Sequence, residues 1–240
     1  MKKYELTSET KVINGVELHR IKALKSFGNI KEGDLGGWIE SEKNLSQYRD
    51  AWVGDKAVVR DNATISGNAR VCGNARVGGD AVVSGNATVY GDATVYGNAT
   101  VYDNATVGGN ARVYGDARVY GDATVGWNAT VYDNATVGGN AIVRGNAIVC
   151  GDATVVENAV VRGNAVIHGN ADFIVFKNWW SSGRYFTWTR SNNKWKVGCF
   201  YGSGEELIAK AYKDSEKSGR EYERVVKYVE SILKEKNNNK

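Results

Sequence analysis

Residues 87–98, Ala87-Thr88-Val89-Tyr90-Gly91-Asp92-Ala93-Thr94-Val95-Tyr96-Gly97-Asn98, state one six-residue phrase twice. The phrase is Ala-x-(Val/Ile)-x-(mostly Gly)-(Asn/Asp), and it runs without a break through nineteen hexads from Ala57 to Asn170. Ala51-Trp52-Val53-Gly54-Asp55-Lys56 is a degenerate twentieth, and Ile39 and Leu45 mark two looser ones before it. A fixed short period decides architecture ahead of any local propensity. Alanine and valine stand two apart, so in an extended segment both point to the same side. Glycine followed by Asn or Asp tolerates left-handed backbone angles, which lets the chain turn at every sixth residue. So many β-branched residues, glycines and asparagines disfavour a helix. A flat meander of such short strands would expose edge after edge. A coil instead stacks each strand on its equivalent one turn later, about 4.8 Å away, and satisfies the backbone groups.

Three hexads per turn predict columns with an 18-residue spacing: Tyr96, Tyr114 and Tyr132 in one, Tyr102 and Tyr120 in a second, Arg144 and Arg162 in a third. Thr88, Thr106 and Thr124 form a further ladder. Twenty hexads then make about seven turns, roughly 30–35 Å of stacked sheet. The inward alanines and valines are narrow, so the interior should be filled by side chains and hold no ligand.

The flanks read differently. Asn14-Gly15 between Lys11-Val12-Ile13 and Val16-Glu17-Leu18 is a hairpin signal. Residues 1–44 are therefore expected to form a small β cap, which an open solenoid end needs to cover its apolar side chains and strand edges. The solenoid is assigned to 45–171. From Asp172 the pattern changes. Phe173-Ile174-Val175-Phe176 reads as a strand, and Arg184 to Arg190 with Lys194 to Cys199 as a hairpin around Asn192-Asn193. Ser203 with Glu206 and Ser218 with Glu221 fit capping boxes for two helices. Tyr222, Val225, Val226, Val229, Ile232 and Leu233 make a helical apolar stripe. Residues 172–236 thus form a C-terminal α+β cap, and 237–240 a disordered tail.

Composition narrows the function classes. No run of about 18 apolar residues offers a transmembrane helix, and Met1-Lys2-Lys3-Tyr4-Glu5-Leu6 lacks a signal-peptide core, so a cytoplasmic protein is expected. Cys72, Cys150 and Cys199 are too scattered for a disulfide framework or a zinc knuckle. The net charge of +4 is uneven: +1 over 1–50, −2 over 51–170 and +5 over 171–240. The basic end could favour an anionic partner. No nucleic-acid motif accompanies it, and specific nucleic-acid binding is not expected.

The stretch Ala93-Thr94-Val95-Tyr96-Gly97-Asn98-Ala99-Thr100-Val101-Tyr102 resembles the bacterial hexapeptide-repeat family. Its members form left-handed triangular β-helices, and many are acyltransferases that act as trimers. The opening Lys3-Tyr4-Glu5-Leu6-Thr7, the segment Gly33-Asp34-Leu35-Gly36-Gly37-Trp38-Ile39-Glu40-Ser41 and the closing Val197-Gly198-Cys199-Phe200-Tyr201-Gly202-Ser203-Gly204-Glu205-Glu206-Leu207 look like phage and prophage members of that kind. The resemblance implies a mainly β, single-stranded left-handed β-helix that assembles as a trimer or dimer, in a host cytoplasm if phage-encoded.

An acyltransferase of this family would need a histidine as general base in a cleft. Only His19 and His168 exist, and no hexad from Ala57 to Asn170 is broken by a loop. Asp80, Asp92, Asp116, Asp122 and Asp152 supply one turn residue each, not a calcium site, and the threonine ladder has Arg70 in its column. No cofactor, metal or phosphate-cradling motif is expected. The expectation is therefore a non-enzymatic binding protein, which the phage resemblance implies would counter host defence by sequestering a small anionic signal or a host protein, with acyltransferase and structural or virion rod as alternatives. Tyrosine and arginine columns with an aromatic, basic cap suit a small anionic, nucleotide-like ligand or a host protein. The candidate binding residues are Arg144, Arg162, His168, Trp179, Trp180 and Arg184.

Overall fold

A computed structural model describes residues 2–180 and 183–238, with the side chains of 235–238 left aside. Its contacts divide the chain into two compact units, Met1–Asn170 and Ala171–Lys240.

The first unit is a β-solenoid. Each hexad contributes a two-residue strand at its second and third positions, such as Thr88–Val89 and Thr106–Val107. These pair in parallel with the strand 18 residues on: Thr88 lies opposite Thr106 and Val89 opposite Val107. Three stacked sheets result, of ten, seven and six strands, giving about seven turns. The expected three-hexad turn is the observed one. Trp38–Ile39 pairs with Val58–Val59 and Leu45 bridges Ile65, so the two looser hexads are part of the winding. The hairpin Tyr4–Ile13 with Val16–Ala23 extends the ten-stranded sheet by antiparallel pairing.

The first and third hexad positions point inward. From Ala57 to Ile167, every one of these alanines, valines and isoleucines is buried. Side chains alone fill the prism, as their size demands. The fourth-position N–H, as in Tyr90 to Val107 O at 2.9 Å, and the second, as in Thr88 to Ala105 O at 2.9 Å, bond to the next turn.

The corners divide their work more finely than the sequence suggested. Only the fifth residue is left-handed; Gly67, for example, has φ +66°, and a Cβ there would sit 2.8 Å from Gly85 O. Where the fifth residue is Asp, its carboxylate finds a use. Asp61 Oδ2 accepts the Gly79 N–H at 2.9 Å, and Asp55 accepts that of Gly73 at 2.8 Å. The sixth residue is a ladder rung. Asn98 donates its Nδ2 to Asp116 Oδ1 at 2.8 Å, and Asn134 does the same to Asp152 at 3.1 Å. Along that edge Asn62, Asp80, Asn98, Asp116, Asn134 and Asp152 alternate, so an amide separates successive carboxylates. Like charges directly stacked at about 4.8 Å would repel.

The second unit is a four-stranded antiparallel meander with two helices. Its strands are Phe173–Lys177, Tyr185–Thr189, Lys194–Val197 and Phe200–Gly202. The strand after the predicted hairpin, Phe200–Gly202, was not foreseen. Helix α1 spans Gly204–Asp214, and the predicted Ser203/Glu206 capping box is formed. Helix α2 spans Glu216–Asn238. Its start differs from expectation: Ser218 lies inside the first turn, and Ser215 Oγ accepts the Ser218 N–H at 3.1 Å. Of the tail expected to be disordered, Asn237 and Asn238 continue α2, while Asn239 and Lys240 lie outside the described residues. Phe186, Trp188, Trp195, Val197, Leu207, Val226 and Val229 form the core of this unit. Trp188 faces Trp195 across the hairpin. Among the described residues no helix is long and apolar enough to cross a membrane.

Candidate ligand-binding site

Within the aromatic columns two tyrosine pairs stack, while Tyr96 turns onto Asp61 and Gly78. Tyr114 and Tyr132 lie 5.1 Å apart at 10°, and Tyr102 and Tyr120 lie 5.4 Å apart at 11°. At three fourth-position glycines, Gly78, Gly108 and Gly138, a neighbouring tyrosine lies over the backbone. A Cβ on Gly108 would meet the Tyr90 ring at 2.3 Å.

The six candidate residues do not form one site. Arg144 and Arg162 hold equivalent positions on successive turns of one edge, both half-buried. The Nε of Arg144 is buried with no hydrogen-bond partner. His168 stands on another edge, above Tyr132 and Cys150. Its Nδ1 is 2.9 Å from the Cys150 sulfur, which is itself buried and also donates to Ile167 O at 3.7 Å. Tyr132 feels that thiol as well: first through a hydrogen bond to Cys150 and then through its charge, the phenol is pushed up to about 12. The tyrosine column thus ends in a Tyr–Cys–His contact series that the sequence reading did not connect.

In the second unit Trp179 is exposed, while Trp180 is half-buried and packs on Phe186 and Tyr222 with ring centroids 6.0 and 6.2 Å away. Trp180 is therefore a wall of the core here, with its indole nitrogen buried and unpartnered.

Arg184 is the candidate that lines a cavity. A cleft of about 290 Å³ lies between the last two strands and α1, with Val197, Leu207 and Ala211 as its apolar floor. Phe200 and Tyr222 stand at its sides, and Arg184, Lys210 and Asp214 supply its charge. The Arg184 stem rests on Gly198, where a Cβ would come within 3.2 Å. Lys196 donates its ammonium to Gly198 O, which pins that turn. Cys199 opens on the same cleft with a free, exposed thiol. Two cations against one carboxylate leave the mouth positive, above a floor that excludes water.

The sequence marks none of Lys210, Phe200, Tyr222 and Cys199 as a ligand contact. Tyr222 was read as part of the apolar stripe, which is half true. Leu207, Lys210, Ala211 and Asp214 follow the three- and four-residue spacing of one helix face, and that was the available signal.

The model of a repeat family described as YdcK Beta solenoid repeat matches residues 69–85, 81–97, 93–109 and 111–126. The central hexads are accordingly β-solenoid repeats of the hexapeptide type, and the matched residues are those that build the middle turns. No curated protein matches the chain.

Proposed function

We propose that this β-solenoid repeat protein is a non-enzymatic binding protein whose C-terminal cleft takes a small anion carrying an apolar or aromatic body. The observation that carries the reading is the pairing of Arg184 and Lys210 over the floor of Val197, Leu207 and Ala211. Guanidinium and ammonium groups suit a phosphate or carboxylate, one by planar bidentate bonds and the other as a point charge. Phe200 and Tyr222 offer ring surfaces for the rest of the molecule. The volume lies at the small end of ligand pockets, which suits a small molecule. Its filled interior makes the coil a scaffold in this reading. On the resemblance of its flanks to phage proteins, the role would be to sequester such a signal during infection, as a dimer or trimer.

The acyltransferase alternative asks for a histidine free to act as base. His168 instead turns one ring nitrogen toward the buried Cys150 thiol.

A thermal-shift screen of nucleoside monophosphates and dicarboxylates, followed by calorimetry, tests the proposal. Binding that weakens about tenfold or more in Arg184→Gln and again in Lys210→Gln supports it. A flat screen, or affinity indifferent to both substitutions, overturns it.

A further inference from the structure

A second recess lies at the other end of the chain, where the tip of the N-terminal hairpin overhangs the first face of the coil. Asn14 and Gly15 turn with φ of +52° and +80°, which brings Ile13 and Asn14 over strands of the solenoid. The recess holds about 190 Å³ and is lined by Asn14, Arg60, Arg76, Thr94 and Tyr96 above the backbone of Gly78. Gly78 is needed there, since a Cβ would lie 2.6 Å from the Tyr96 ring. We propose that this recess is an oxyanion site that takes the phosphate group of a small phosphate ester or pyrophosphate.

Two arguments converge. The first is preorganisation. Arg60 Nε lies 3.8 Å from Asp61, and its guanidinium sits 5.9 Å from the centre of the Tyr96 ring. Tyr96 donates its hydroxyl to the same Asp61 carboxylate at 3.2 Å. Arg60 is therefore held in position before any ligand arrives, by an acid and a ring that are themselves joined. A fixed planar fork loses little freedom on binding a phosphate.

The second is charge. Lys11 and Arg20 rest on the Trp38 ring at 4.2 and 5.7 Å, on the same hairpin. With Arg60 and Arg76 they make four cations, against Glu9 beside Arg20 at 3.3 Å, Asp61 beside Arg60, and Glu40, whose carboxylate accepts the Asp61 N–H at 2.6 Å. Among the described residues Arg76 forms no ion pair, and it is exposed at the recess. The crowding has an effect on Lys11, whose amine is held below its ordinary range by burial and then by Arg20 and Arg76. An oxyanion would offset the remaining positive charge, most of all at the unpaired Arg76, while the Asn14 amide and Thr94 hydroxyl offer further hydrogen bonds.

This site shares no residue with the C-terminal cleft, and its test separates the two. Calorimetry of the full chain with sodium pyrophosphate at physiological chloride should show one site that Arg76→Gln weakens about tenfold. Arg76 is exposed, so melting should be unchanged in that variant. Arg60→Gln should weaken binding similarly, and Arg184→Gln should leave it intact. The proposal is overturned by no heat at roughly 10 mM pyrophosphate, by affinity that survives both arginine substitutions, or by affinity lost with Arg184→Gln.

Discussion

Trp127 occupies a corner with φ +61° where glycine is the usual residue, and 68 % of it is exposed. An L-residue pays about 1–2 kcal/mol for that conformation, part of which glycine gives back in chain entropy. Trp127→Gly should therefore raise stability by about 1 kcal/mol, read from the urea midpoint. A lower midpoint would mean that the indole makes stabilising contacts in the folded protein. Lys3 sets a pH dependence. Its buried ammonium donates to Ala51 O at 2.7 Å and Arg49 O at 3.3 Å, and burial lowers the amine to about 8 from 10.5. Between those values the unfolded chain holds a proton that the folded chain has released, so stability rises with pH there. Tyr4 and Tyr132 act oppositely at the alkaline end: both phenols are raised, so the unfolded chain ionises first as pH passes its ordinary phenol value, about 10. Denaturation midpoints should climb from pH about 8 and turn over near 10. The climb should shrink in Lys3→Met to the part that Lys11, whose amine is also lowered, contributes; an unchanged climb would assign it to other groups.

At the scale of the element, the hexad explains itself through its 18-residue neighbour more than through its own propensity. Thr88 pairs with Thr106, Asn98 with Asp116, and Gly67 is confined by Gly85. Deleting residues 99–116, one whole turn, keeps every column in register. Deleting 99–107 instead puts alanine slots out of phase with the corners and faces inward residues outward. Circular dichroism melts should show one cooperative transition of near-native midpoint for the first and a collapsed or lost transition for the second. Equal melts would contradict the register. This also explains what could be read in advance. The period, the turn length and the inward Ala/Val set were legible because stacking makes them repeat. The division between fifth and sixth positions was not, because Gly and Asn both tolerate left-handed backbone and only the stacked Cβ clash separates them. The start of α2 was misplaced because Ser215 and Ser218 both suit a cap.

For the molecule as a whole, the fold lay in plain sight and the sites did not. Arg184 was reachable from composition, but Lys210 and Tyr222 join it only through the packing of α1 and α2 on the sheet. Arg60 and Arg76 looked like two more outward residues until the hairpin tip was placed above them. Arg144 and Arg162 share an edge, as predicted, without a surrounding cavity that includes the other candidates. The central claim is a division of labour: a filled, regular coil as scaffold, and ligand capture in the clefts that irregular segments add. Hydrogen exchange read by mass spectrometry tests it most directly, comparing the free chain with the chain saturated by a nucleoside monophosphate. The account predicts strong protection across 57–167, changed by the ligand only around Arg60, Arg76 and Tyr96 at the N-terminal recess, and added protection in peptides spanning 184–200 and 207–222. Ligand-dependent protection spread through the coil, or a coil that exchanges freely, would contradict it.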